Sequence, residues 1–136
     1  MTIEDLESYI EQAIETLVAH AREREAEITE EPLGIYHGAV NEDSNGPVEI
    51  CLPIYRLLQP TRGIDSRSIA PTKVASTTLT RSQAQFPDIL EAYDAVFDWV
   101  RQQRRKVMGP PWEIYVGNLK SVGSEDPFIE IAWPFR

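Results

Sequence analysis

Cysteine is nearly absent from this sequence, since Cys51 is the one cysteine among 136 residues. A single thiol excludes an internal disulfide and a cysteine-based zinc cluster, and it is typical of proteins in a reducing compartment. Long apolar runs are also missing, because no stretch approaches the roughly 20 residues of a membrane-spanning helix. The first residues, MTIEDLESYIEQ, are acidic and do not resemble a signal peptide. We therefore expect a cytoplasmic protein with no membrane partner.

Basic residues are scarce, with 13 Lys and Arg against 22 Asp and Glu and a net charge of −9. This charge repels phosphate backbones and attracts cations. The basic run RQQRRK at 101–106 is better explained as the solvated C-terminal end of a helix, where the helix dipole favours cations. The sequence therefore predicts no direct nucleic-acid binding. Whether the negative charge serves solubility alone or also steers a cationic ligand stays open.

Motifs for catalysis and metal binding are lacking. His20 and His37 have no partner at metal-ligand spacing. The sequence has no glycine-rich phosphate loop, no serine-centred elbow and no defensible cysteine–histidine pair. We expect no metal and no cofactor, and a binding protein is favoured over an enzyme.

The sequence does contain an internal repeat. EPLGIYHG at 31–38 aligns without gaps to PPWEIYVG at 110–117 after a shift of 79 residues, and Glu113 then stands where the first repeat has Gly34. PVEICLPI at 47–54 aligns to the end of the chain with a shift of 81. We predict a single domain over 1–136, with repeat one at 1–54, a linker at 55–72 and repeat two at 73–136.

Each repeat has the periodicity of one helix followed by two short strands. Apolar residues recur every three or four positions over 4–25 and 87–105, which predicts two amphipathic helices. Strands are predicted at 33–40, 47–54, 73–81, 112–118 and 127–135. Repeat one lacks a counterpart of the strand at 73–81, so one sheet edge should stay open unless another segment or chain covers it. The predicted fold class is α+β, with two helices on one face of an antiparallel sheet.

The alternation of side chains along each strand predicts which residues face the helices. Trp112 and Ile114 form the apolar side of their strand, and we expect this side to meet the helices. The opposite, uncovered face then gathers two tyrosines and three glutamates, namely Tyr36, Tyr115, Glu49, Glu113 and Glu130. Carboxylates beside aromatic rings suit a lipophilic organic cation, because both groups favour positive charge.

Several of these candidates also have ordinary structural explanations. The tyrosines could serve sheet packing, Glu49 and Glu130 could be solvated, and the three tryptophans could belong to the core. The candidate ligand-binding set is Glu113, Tyr115, Tyr36, Glu49, Glu130, Trp99, Trp112 and Trp133.

Residues of the second repeat carry a resemblance to a known family. These are Phe86, Tyr93, Trp99, the run Gly109-Pro110-Pro111, the motif Glu113-Ile114-Tyr115, Asp126-Pro127, Glu130-Ile131 and Pro134. In this pattern the sequence resembles the GyrI-like small-molecule-binding family, which includes effector-binding domains of multidrug-responsive transcription activators. The resemblance implies a tandem pair of strand-helix-strand-strand units with a ligand cleft between them. It also implies that Glu113 is the central acidic residue of the ligand pocket.

The sequence and this resemblance together predict a stand-alone domain that binds amphipathic or cationic organic compounds for sensing or sequestration. The first alternative is a hydrolase of electrophilic, cyclopropane-type toxins, as some members of the family are, with Glu113 acting on water or as a general acid. The second is a gyrase-inhibitor-like interaction protein. A homodimer or a partner regulator could use the open sheet edge.

Overall fold

The computed structural model describes residues 3–37, 48–61, 63–70, 72–85, 87–117 and 123–136, with side chains from residue 7 onward. The elements follow in the order α1 (Ile3–Glu23), β1 (Leu33–Tyr36), β2 (Val48–Cys51), β3 (Lys73–Thr80), α2 (Ile89–Gln102), β4 (Trp112–Tyr115) and β5 (Pro127–Phe135). The five strands form one antiparallel sheet in the order β2-β1-β4-β5-β3. The predicted α+β class is confirmed.

Both helices end in the same backbone conformation. Glu25 has a φ of 52° and Arg104 a φ of 57°, which places both residues in the left-handed region that terminates many helices. They are 79 residues apart and so are equivalent in the two repeats. After each helix, one residue forms an isolated antiparallel β-bridge. Ile28 pairs with Ile54 after α1, and Val107 pairs with Phe135 after α2.

Both helices pack on one face of the sheet. Ile10 of α1 lies in a buried cluster with Tyr115, Ile129 and Ile131, and Tyr93 of α2 packs against the same cluster. A second cluster joins α2 to the edge strand β3 on the same face through Val96, Val100 and Ala75. Within the described ranges, no helix is long and apolar enough to cross a membrane.

A pseudo-twofold axis relates the two repeats at the centre of the sheet. Tyr36 and Tyr115 are 79 residues apart, and their hydroxyl oxygens are separated by 3.3 Å. Gly34 and Glu113 are equivalent under the same shift, and they are also direct partners across β1 and β4. In an antiparallel pair, the twofold axis passes through the position where equivalent residues face each other. The axis therefore passes between Gly34 and Glu113.

The absence of a side chain at Gly34 makes room for Tyr115. A Cβ at position 34 would lie 2.6 Å from the Tyr115 hydroxyl oxygen, which is closer than real Cβ contacts allow. Because Tyr115 is only 3% exposed, its ring has little freedom to move aside. The glycine is therefore required by the close approach of this hydroxyl.

The sequence predicted the elements and their order better than their ends. The helices predicted at 4–25 and 87–105 are Ile3–Glu23 and Ile89–Gln102, and the strand predicted at 73–81 is Lys73–Thr80. The strands predicted at 33–40 and 112–118 are described as strands over Leu33–Tyr36 and Trp112–Tyr115. The remaining part of the prediction at 38–47, including the turn NEDSNG, lies outside the described residues, as does 118–122.

Substituting Gly34→Ala should destabilise the fold by about 1–3 kcal/mol, because the new methyl group overlaps the Tyr115 hydroxyl. At a strand position with free space around it, a change from glycine to alanine would stabilise the fold, because glycine destabilises a strand. Urea unfolding followed by circular dichroism measures the effect. Adding Tyr115→Phe should recover part of the loss, whereas equal losses in the single and double variants would contradict the overlap. Gly109→Ala is the matched control, because a Cβ there meets only Pro134 at 3.7 Å.

Candidate functional site

The centre of the candidate site is the carboxyl group of Glu113, which is buried at 7% exposure. The Tyr36 hydroxyl donates a hydrogen bond to Glu113 Oε1 at 2.8 Å, and the Tyr93 hydroxyl donates to Oε2. The Tyr115 hydroxyl lies 3.3 Å from the Tyr36 hydroxyl and lowers the pKa of the carboxyl group. Three tyrosines therefore surround one buried acid.

Three elements bring these side chains together. Tyr36 ends β1, Tyr93 lies in the middle of α2, and Glu113 and Tyr115 are alternate residues of β4 on one face. The indole nitrogen of Trp133 donates a hydrogen bond to the Tyr93 carbonyl oxygen at 3.0 Å, and the Phe97 ring packs edge-on against Trp133 with centroids 5.1 Å apart. Trp133 thereby holds α2, and with it Tyr93, over the carboxyl group.

Burial controls the protonation of this cluster. Loss of hydration raises the pKa of Glu113 above its usual value, and the hydroxyl groups of Tyr93, Tyr36 and Tyr115 oppose this effect by stabilising the carboxylate. The pKa values of the three tyrosines are also raised, first by burial and then by the neighbouring negative charge of Glu113. The tyrosines therefore remain neutral donors, and the carboxyl group is held toward its neutral form.

No cationic side chain compensates Glu113 among the described residues, and every partner that the structure gives it is a tyrosine hydroxyl. Hydroxyl groups can solvate a carboxylate but cannot neutralise it, so a proton or an external cation is the missing complement. Over the part of the chain that the structure describes, no group of His, Cys, Asp and Glu residues could hold a metal ion.

The predicted orientation of β1 and β4 was wrong. Tyr36, Glu113 and Tyr115 lie on the face that carries the helices, whereas Trp112 and Ile114 lie on the opposite face. The prediction placed apolar residues toward the helices and polar residues away from them. That rule fails here because the polar groups satisfy one another, which lets them be buried. The grouping of Tyr36, Tyr115 and Glu113 on one face was correct.

Two of the predicted glutamates lie away from this cluster. Glu49 is on the opposite face of β2, where it pairs with Arg67 at 2.7 Å and His37 at 2.9 Å. The hydrogen bond from Arg67 lowers the pKa of Glu49. Glu130 is half-buried on β5 and lies opposite Ile114, also on the far face. Neither carboxyl group joins Glu113 in one site.

The three tryptophans have three different environments. Trp112 is half-buried on the far face, opposite Ile35 and Ala132. Trp133 is on the helix-bearing face and supports Tyr93 from behind. Trp99 is 49% exposed near the end of α2. Of these residues, only Trp133 is connected to the Glu113 cluster by the contacts described.

Tyr93 is the site residue that sequence reasoning missed. It occupies a core position of α2, and its equivalent in the first repeat is Ile14. A tyrosine on the buried side of a helix needs a hydrogen-bond partner for its hydroxyl group. This requirement is the feature of the sequence that could have identified Tyr93 as a site residue. Its partner is 20 residues away on β4, a distance that helical periodicity does not reveal.

The comparisons with known proteins support the fold. Neither the protein-family models nor the curated proteins searched give a match to this chain. Among solved structures, the chain is similar to the transcription regulator EcmrR in a complex with DNA, with a TM-score of 0.76 and 18% sequence identity. The similarity covers 95% of this chain and 48% of the EcmrR chain, so this chain spans about half the length of its structural neighbour.

The same comparison corrects one prediction. A net charge of −9 was taken to exclude direct nucleic-acid binding, yet a protein of similar fold is found in a complex with DNA. Net charge averages over the whole surface and does not describe its individual regions. The exclusion of nucleic acid was therefore wrong.

Glu113→Gln should change how stability depends on pH. Because the folded pKa of Glu113 is raised above 4.5, the folded state holds its proton more tightly, and the free energy of unfolding falls as pH rises from about 4.5 through the folded pKa. The variant should lack this fall, as measured by urea unfolding between about pH 4.5 and 8. Identical pH profiles for the two proteins would contradict a buried titrating Glu113.

Glu49→Gln supplies a control of opposite sign. The folded pKa of Glu49 is lowered, so its contribution to stability is present above 4.5 and is lost as pH falls through the folded pKa. Its substitution should therefore lower the free energy of unfolding by a constant amount above pH 4.5 and change its dependence on pH only below that value.

Proposed function

We propose that this protein binds lipophilic organic cations at Glu113, as a sensing or sequestering domain of the GyrI-like type. One observation carries the proposal: a buried carboxyl group is surrounded by three tyrosine hydroxyls and has no described cationic partner. Where burial serves only stability, apolar residues would do as well or better. The retained carboxyl group is therefore attributed to function.

The tyrosines supply the second half of a cation site. The rings of Tyr36 and Tyr93 meet edge-on with centroids 6.5 Å apart, so one ring presents its face toward the edge of the other. Aromatic faces attract organic cations by about 0.5–2 kcal/mol each when solvent is excluded. A lipophilic cation would therefore exchange its hydration for ring faces and one carboxylate, whereas a neutral ligand of the same shape would gain no such charge interaction.

Entry of a ligand requires movement of α2. Glu113 is 7% exposed, and its Oε2 is covered by the hydroxyl of Tyr93 on that helix. A cation can reach the carboxylate after Tyr93 withdraws, which also breaks or shifts the contact between Trp133 and the Tyr93 carbonyl. Binding and a displacement of α2 are thus coupled, and this coupling gives the site a means of signalling occupancy.

Similarity to EcmrR gives supporting context for sensing. The regulator carries a region of this fold within a longer chain, and its structure was determined in a complex with DNA. A ligand-dependent movement of α2 is the kind of change that such an assembly could transmit to a partner surface. Sensing therefore fits the fold similarity, while cation binding depends on the Glu113 cluster itself.

The cationic dye ethidium tests the proposal. Wild-type protein should bind ethidium with higher affinity than uncharged phenanthridine, which shares its fused rings, and should be stabilised against heat by the bound dye. Glu113→Gln should weaken ethidium binding by about ten-fold or more, because it removes the charge and keeps the shape. Dye fluorescence and thermal denaturation measure the two effects. Equal affinity of both proteins for ethidium would remove Glu113 from the site.

Glu130→Gln is the matched control for this experiment. The residue is a half-buried glutamate on the strand next to Glu113, and it faces the opposite side of the sheet. Its substitution should leave dye affinity unchanged, so equal losses in the two variants would indicate a non-specific effect of charge. A separate experiment incubates the protein with electrophilic compounds and analyses the recovered compounds by mass spectrometry. Addition of water that depends on Glu113 would indicate a hydrolase instead.

A further inference from the structure

Six exposed cationic side chains gather at one end of this acidic protein. They come from the start of β3, the end of α2 with the segment after it, and the end of β5. We call them the cationic end, and they are Lys73, Arg101, Arg104, Arg105, Lys106 and Arg136. The chain has 13 Lys and Arg residues in total, so almost half of its positive charge lies in this region.

Backbone pairing fixes this arrangement. Lys106 and Arg136 exchange two backbone hydrogen bonds, at 3.1 and 3.0 Å, and are direct neighbours. Lys73 pairs with Phe135, which also bridges to Val107. Like charges placed opposite each other in an antiparallel pair are destabilising. The cationic end therefore has a local electrostatic cost that an anionic partner would relieve.

None of these six side chains forms an ion pair among the described residues. Elsewhere, Arg24 pairs with Glu23, Arg67 with Glu49 and Arg81 with Glu7. Exposed apolar side chains accompany the unpaired charges, because Trp99 is 49% exposed and Met108 is 46% exposed. The surface thus combines unpaired cations with apolar area, as protein interfaces do.

The equivalent segment of the first repeat has the opposite charge. Residues 25–31, EAEITEE, correspond to 104–110, RRKVMGP, under the shift of 79. Glu25 occupies the position of Arg104, with nearly the same φ, and Glu27 occupies that of Lys106. The acidic segment is exposed at all four glutamates, and Ile28 between them is 37% exposed. We call residues 25–31 the acidic segment.

The two charged regions lie at opposite ends of the sheet. The acidic segment leads into the start of β1, and the cationic end leads into the start of β4. Since β1 and β4 are antiparallel neighbours, their starting points are at opposite ends of the strand pair. A second copy turned by a twofold rotation can therefore place its acidic segment on the cationic end of the first, and its cationic end on the first copy's acidic segment.

We propose that this protein forms a twofold dimer in which the acidic segment of each copy docks on the cationic end of the other, with Ile28 against the apolar area of Trp99 and Met108. A second copy fits this surface because it carries the acidic segment, whose four exposed glutamates and Ile28 complement the cations and the apolar side chains of the cationic end. The dimer does not depend on the proposed ligand site.

Charge exchange between the two repeats tests this dimer. Arg104→Glu with Lys106→Glu leaves the cationic end with four cations beside two carboxylates, and Glu25→Arg with Glu27→Lys, the basic variant, leaves the acidic segment with two cations, two carboxylates and no net charge. Because each change places a residue found at the equivalent position of the other repeat, the backbone conformation is already compatible with it. Sedimentation velocity should show a wild-type dimer at about 0.05 M salt that dissociates at about 0.5 M.

Each double variant alone should form the dimer with lower affinity than wild type at low salt, because the charge attraction at both contacts is weakened. In an equimolar mixture the two variants should associate with each other more tightly than either does with itself, since the unchanged acidic segment of one then meets the unchanged cationic end of the other. Glu91→Lys with Asp94→Lys changes the net charge as much as the basic variant does, at exposed positions of α2 away from both regions. This control should remain dimeric.

Two results overturn the proposal. The first is a wild-type protein that stays monomeric at low salt. Binding of a duplex oligonucleotide to the cationic end of such a monomer would assign this surface to nucleic acid instead. The second is a dimer whose affinity is unchanged by either pair of substitutions, or a mixture of the two variants that associates no more tightly than each variant alone. Circular dichroism of each variant confirms that loss of association does not come from loss of the fold.

Discussion

The buried carboxyl group of Glu113 is the constraint on which the centre of this structure depends. Its burial is tolerated because Tyr36, Tyr93 and Tyr115 each place a hydroxyl group within reach. These three side chains fix the relation between β1, β4 and α2, and they decide which face of the central strands meets the helices. A satisfied polar cluster thus replaces part of the apolar core at the place where the two repeats join.

The rest of the helix-bearing face is organised around this cluster. Ile129 and Ile131 of β5 are apolar neighbours of Tyr115 and Glu113, and Ile10 closes the same region from α1. Trp133 donates a hydrogen bond to the carbonyl group of Tyr93 and so fixes α2 against β5 beside the cluster. The helix is therefore attached to the sheet partly through polar contacts. Under the proposed function, a bound cation would compete for these contacts and so change the position of the helix.

Much of the fold could be predicted from the sequence, because the internal repeat and the periodicity of apolar residues are local signals. They identified both helices, the strand at 73–81 and the shared face of Tyr36, Glu113 and Tyr115. The orientation of that face could not be predicted from strand alternation alone. It depends on whether Tyr36 and Glu113, 77 residues apart, satisfy each other. For the same reason Tyr93 was overlooked, while Glu49 and Glu130 were placed on the face of a cluster from which the sheet separates them.

The position of Gly34 and Glu113 on the pseudo-twofold axis has a consequence for the origin of the site. In a dimer of two identical single repeats, one residue type would occupy both sides of the axis. Two glycines there would provide no charge, and two glutamates would bring like charges together in a buried place. A glutamate facing a glycine requires that the two halves differ, which covalent linkage of the repeats in one chain permits. The single carboxyl group is thus a product of broken symmetry.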